Sequence, residues 1–225
     1  MLCLPEVAPL PIEGGRLAGL IERDDGLGRL LFALAVVLAI GTAAMRAETS
    51  RFSPFTAGLA SNAGAYANIA LGRYVEAEQD LDRARQACEP INALYVLSYS
   101  ACFTAGIELI AGNIAAARTI LNGALDRAIA EGQRYGSSGA VIATHLIEML
   151  YETNEIDACD ALVNDYMPIV VETGLPDHLI VLHRIAARLH LLRGRRDAGQ
   201  GVLTQLHDIG ARRGIRRLSA AAWLD

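Results

Sequence analysis

One short pattern occurs four times along the chain: GRYVEAEQDL from Gly72, GNIAAARTIL from Gly112, NEIDACDALV from Asn154 and GRRDAGQGVL from Gly194, at intervals of 40, 42 and 40 residues. A repeat of that period restricts a chain to stacked supersecondary units, each burying its apolar face against its neighbours. Every copy opens on a residue suited to left-handed backbone (Gly72, Gly112, Asn154, Gly194), where one helix stops and the next begins. Five residues on stands a small side chain (Ala77, Ala117, Cys159, Gly199), and four further an aliphatic one (Leu81, Leu121, Val163, Leu203). Small and large residues at i and i+4 lie on one helical stripe, so the small position admits a neighbouring helix and the large one fills the groove beside it.

An apolar helical stretch precedes each turn, near residues 57–71, 94–111, 139–152 and 178–193, which completes a helix pair per unit. Within these stretches residues 65, 105, 147 and 187 read Ala, Ala, Ile and Ala. No stretch alternates as a strand between hairpin signals, and the joints fall at Glu89-Pro90, Gly136 to Gly139, Gly174-Leu175-Pro176 and Gly210 to Gly214. The expected fold is all-α: a right-handed superhelical solenoid of antiparallel helix pairs with a period near 40. Units are expected over 55–90, 91–135, 136–175 and 176–214, with a further helix starting in 215–225. Residues 1–54 form an N-terminal helical segment carrying a hydrophobic helix near 27–46.

With 225 residues, 52% of them hydrophobic, the chain can bury a core that needs neither disulfides nor metal. Cys3, Cys88, Cys102 and Cys159 form no CxxC pair, which argues against a zinc knuckle or redox dithiol and for buried thiols in a reducing cytosol. All 20 basic residues are arginine, a bias that fits a GC-rich bacterial genome. Residues 48–177 hold 17 acids against 7 arginines, whereas 178–225 hold 9 arginines against 3 acids. Those arginines alternate with apolar residues as on any amphipathic helix, so no direct nucleic-acid contact is expected. The N-terminus lacks a basic n-region ahead of its apolar residues. Leu30 to Met45 is the most apolar run, but its sixteen residues rise only about 24 Å as a helix against a hydrocarbon core of about 30 Å. It is expected to be buried, leaving a cytoplasmic protein without a membrane span.

Ala65, the turn Gly72-Arg73-Tyr74, Ala77, Leu81, Ala84 and Pro90 together resemble a tetratricopeptide repeat, of which the later units look like degenerate copies. The run MLYETNEIDACDALVNDYMPIVVETGLPDHLIVLHRIAARLHLLRGRRDAGQGVLTQLHDIGARRGIRRLSAAAWLD resembles the repeat region of MalT-like, LuxR-family ATP-dependent transcriptional regulators, a likeness covering about residues 55–225. Such regulators join a nucleotide-binding module, a helical repeat sensor and a helix-turn-helix. The resemblance therefore implies the sensor portion alone, with neighbouring NTPase and helix-turn-helix modules as partners if it belongs to a longer regulator. A chain without lysine has no GxxxxGK[ST] phosphate loop, so the family's ATP site is not expected here and no cofactor is assigned. The expectation is also that the chain stops at SAAAWLD inside the first helix of another repeat, and that uncapped ends permit self-association.

Aligning the units places candidate binding residues on the first helix of each pair, which lines the concave groove of such arrays. One row is Asn62, Cys102, Thr144 and Arg184; a second, one turn on, is Tyr66, Gly106, Glu148 and Arg188; Tyr151 follows. Asn62, Tyr66, Thr144, Glu148, Tyr151, Arg184 and Arg188 are the candidates for holding an effector molecule or a protein segment, with the arginine pair suited to a carboxylate or phosphate. His145 and Glu148 stand at i and i+3, with Glu152 a turn on, but no HExxH completes a metal site, so no metal is expected. His178, His183 and His190 lack a nucleophile placed by any recognisable motif, so no catalysis is expected. A stand-alone adaptor, membrane-tethered through residues 30–45, is the alternative to the sensor module, and a metal hydrolase using His145, Glu148 and the later histidines is a distant third.

Overall fold

A computed structural model describes residues 53–223. Among these residues every regular element is a helix: α1 (Pro54–Ala70), α2 (Tyr74–Cys88), a 3-10 turn (Glu89–Ile91), α3 (Leu94–Ile110), α4 (Ile114–Ala130), α5 (Ser137–Glu152), α6 (Ile156–Thr173), α7 (Pro176–Leu192), α8 (Arg196–Arg213) and α9 (Arg216–Ala221). The hydrophobic run at 30–45 and the segment 1–52 around it lie outside the described residues. Within them, no helix is long and apolar enough to cross a membrane.

The four repeated turns share one backbone solution. Gly72, Gly112, Asn154 and Gly194 take φ of 71°, 83°, 61° and 70°, so the chain reverses through a left-handed residue. The residue after each donates its N–H five residues back: Arg73 to Asn68, Asn113 to Glu108 and Glu155 to Leu150 at 2.8 Å each, and Arg195 to His190 at 2.9 Å. That bond satisfies a carbonyl that the ending helix would otherwise leave unpaired. Glycine is the natural choice at this backbone; Asn154 is the one position where a side chain tolerates it.

Eight residues set the distance between the paired helices. Ala77, Ala117 and Cys159 are fully buried, as are Ala65, Ile147 and, nearly so, Ala105 and Ala187 on the facing helices. A Cβ added to Gly199 would stand 3.0 Å from the Ala187 carbonyl, and the Cys159 thiol donates to the Ile147 carbonyl at 3.5 Å. The helices meet almost backbone to backbone there, which is why the position stays small. Leu81, Leu121, Val163 and Leu203 fill the groove one turn on.

The pairs pack consecutively. First helices α1, α3, α5 and α7 each touch the next in the series, while α2, α4 and α6 pack chiefly between their own first helix and the one that follows. The helices thus form two layers, with the first helices side by side in one of them.

Candidate functional site

On α3, Tyr95, Tyr99 and Phe103 recur every fourth residue and make one stripe, with ring centroids 5.2 Å and 5.9 Å apart along it. Tyr66 of α1, half exposed, reaches Phe103 at 5.8 Å. At the other side His178 of α7 stacks on Tyr99 at 6.2 Å, and His145 of α5 meets His178 edge-on at 5.9 Å. The first helices of all four pairs therefore contribute to one aromatic and imidazole surface. Packed neighbours stand about 8–10 Å apart, so α3 and α7, two pairs apart, would be separated by about 16–20 Å in a flat layer. Their rings nevertheless touch across α5.

Electrostatics divides the two histidines. Burial works against a charge on His145, but the Cys102 sulfur, by charge and hydrogen bonding, the Val141 carbonyl and the Glu148 carboxylate outweigh it, and its pKa rises to about 9. Its Nδ1 lies 2.9 Å from the Val141 carbonyl, to which the ring N–H donates. His178 moves the other way, to about 4, through burial and the positive charge of His145, with Asp177 opposing. The two rings are thus shifted in opposite directions. Burial, reinforced by Tyr95, pushes the Tyr99 phenol well above its usual range, and its buried hydroxyl has no hydrogen-bond partner. Such an orphan is uncommon in a folded protein. The Glu148 carboxyl, although solvent reaches it, is raised by the surrounding protein, with His145 opposing.

The candidates read from repeat alignment divide between interior and surface. Asn62 and Thr144 do not line a groove, and this corrects the alignment: they are 4% and 2% exposed. Asn62 Nδ2 donates to the Val96 carbonyl at 2.9 Å and its Oδ1 accepts from Ser100 at 2.8 Å, while the Thr144 hydroxyl bonds back to Ala140 at 2.8 Å. These polar groups spend their hydrogen bonds inside the protein. Tyr151 is half-buried against the main core. Tyr66 and Glu148 are exposed on the first-helix layer. Arg184 and Arg188 are half-buried on α7, and both are engaged by other groups. The alignment missed the Tyr95, Tyr99, Phe103 stripe, although its i, i+4 spacing was visible. It also missed the contact of His178 with α3, which has no local signature.

Among the described residues no group of three or more His, Cys, Asp or Glu side chains is arranged to hold a metal ion. His183, fully buried, bonds back to the Leu179 carbonyl at 2.7 Å and leaves its Nε2 without a partner, and burial lowers its pKa. The surface offers aromatic faces for stacking, a buried phenol and two imidazoles whose pKa values are shifted in opposite directions. No protein-family model matches the chain, and no curated protein matches it significantly.

Proposed function

We propose that the chain is a non-catalytic helical-repeat interaction module, the sensor portion of a MalT-like, LuxR-family regulator. In this reading the first-helix layer is the concave wall of a right-handed superhelix and receives an effector molecule or a segment of a regulatory protein. The observation that carries the reading is the surface that runs without interruption from Tyr66 through Phe103 and Tyr99 to His178 and His145, drawn from four successive pairs. Aromatic side chains give large contact area at low entropic cost, and the histidines and Glu148 add directional polar contacts. A ligand that spans several units stabilises one curvature over others, and that difference is what adjoining modules would sense.

A photo-crosslinking residue placed at Tyr66 or Glu148, compared with one at the exposed Thr204 of α8, tests the surface in cells. Adducts are expected from positions 66 and 148 and not from 204. Adducts from 204 alone would move the binding surface to the other layer.

A further inference from the structure

Gly106 of α3 stands in the surface row of the first-helix layer, between Tyr66 on α1 and Glu148 on α5. A Cβ added there would meet nothing within 4 Å, so the row is notched at its middle helix. Packed helices stand about 8–10 Å apart, which leaves room for one side chain to enter between the two flanking helices. Tyr66, half exposed and leaning onto Phe103 at 5.8 Å, walls the notch on one side. Ile110, one turn along α3 and 43% exposed, continues the floor. Glu148 and, one turn further, Glu152 stand exposed on the other side. The charge around the notch is acidic. Helices α1, α3 and α5 carry Glu108, Glu148 and Glu152, no arginine, and His145 as their one basic side chain. Every arginine between residues 53 and 177 lies on a second helix or in a joint. Arg188, next in the row on α7, is engaged by other groups, and among the described residues no arginine pairs with Glu148 or Glu152. His145 spends its Nδ1 proton on the Val141 carbonyl, and a single imidazole offsets at most one of the two carboxylates.

We propose that the notch receives an arginine of a basic peptide segment, its stem over Gly106 and Ile110 and its guanidinium on Glu148 and Glu152, with the Tyr66 ring taking the adjoining residue of the segment. The inference names the partner of the first-helix surface and rests on the reading of that surface as a binding face. An arginine stem is apolar and packs on an exposed aliphatic floor while its head stays at the polar rim. The planar guanidinium matches a carboxylate in a forked pair, a stronger hydrogen bond than one between neutral groups. An acidic layer without arginine attracts such a segment and repels an acidic one.

Three capped peptides of alternating alanine and a second residue (arginine, its uncharged analogue citrulline, or glutamate), titrated into the full-length protein and followed by amide chemical shifts, test the proposal. The arginine peptide is expected to bind saturably, with shifts at Tyr66 and over residues 103–110 and 148–152, and about tenfold more tightly than the citrulline peptide. The glutamate peptide is expected not to bind. Gly106→Leu fills the notch without a clash at Cβ and is expected to abolish binding with the helical signal intact, whereas Gly201→Leu, equally free of contacts but on α8 in the other layer, is expected to change nothing. Glu148→Gln with Glu152→Gln is expected to bring the arginine peptide down to the affinity of the citrulline one, and it serves if the glycine variant folds poorly. Equal binding of arginine and citrulline peptides, shifts centred on the second-helix layer, or undiminished binding by Gly106→Leu would overturn the proposal. Crosslinks from positions 66 and 148 together with no binding of the arginine peptide would overturn it too, while leaving the first-helix surface as the binding face.

Discussion

The junction between the first two helix pairs and the junctions after it follow one register with different chemistry. At the first, Asn62 reaches across to Val96 and Ser100, and the apolar contacts fall into two small clusters, Ala65, Ala77, Leu81 and Ile107 in one and Cys88, Val96 and Leu97 in the other. From Cys102 to Leu218 a single apolar cluster runs through the remaining pairs. Helix α1 buries Gly58, Ala60, Ser61, Gly64 and Ala65, and a Cβ at Gly58 would stand 2.2 Å from the Cys88 sulfur. Close approach with few large side chains leaves little apolar area to bury, so directional hydrogen bonds hold the first junction. The later pairs rely on side-chain volume. A repeat therefore conserves where helices meet while leaving open what holds them.

Truncation of Ile147, fully buried in the large cluster, breaks the comparison at its strongest point. Ile147→Ala is expected to cost about 2–5 kcal/mol in denaturant unfolding, the range for a core cavity. Asn62→Ala acts through polarity: it leaves the Ser100 hydroxyl and the Val96 carbonyl without their partner across the junction, and about 1–3 kcal/mol is expected. An Asn62→Ala variant that melts with the parent protein would show that the first junction is not held by this bond. The smallest effect belongs to Arg118→Ala. Its fork onto Glu155 joins half-exposed groups, so less than about 1 kcal/mol is expected, and less still in high salt.

The sequence made the helical class, the four left-handed turns and the small-then-aliphatic stripe legible, because each depends on residues within a few positions of one another. Tyr66 and Glu148 were found on the exposed face by the same local logic. Asn62 and Thr144 were misplaced because a polar side chain in a helix can satisfy itself inward, to a carbonyl one turn back or on the next helix, and periodicity cannot distinguish that from a solvated face. The approach of His178 to Tyr99 and His145 depends on how three pairs stack. No spacing along the chain encodes it.

The same histidines link the first-helix layer to stability. His145, raised to about 9, adds stability that is complete below its unfolded value near 6.5 and is lost as pH climbs through 9. His178, lowered to about 4, adds stability that is present above 6.5 and is lost as pH falls through 4. Both contributions are complete only near pH 6.5, so the pair alone predicts a stability optimum there, falling on both sides. Besides burial, Cys102 from α3 with Val141 and Glu148 from α5 set the upper limb, and His145 with Asp177 from α7 the lower one.

The convergence of α3, α5 and α7 on one surface is tested most directly by titrating the imidazole resonances of His145 and His178 by NMR in the intact protein. The account predicts that His178 stays neutral down to about pH 4 and that His145 stays protonated to about pH 9, with Cys102→Ala drawing His145 back toward 6.5. Both rings titrating together near 6.5, and unmoved by Cys102→Ala, would mean that these side chains do not meet and that the shared surface does not exist.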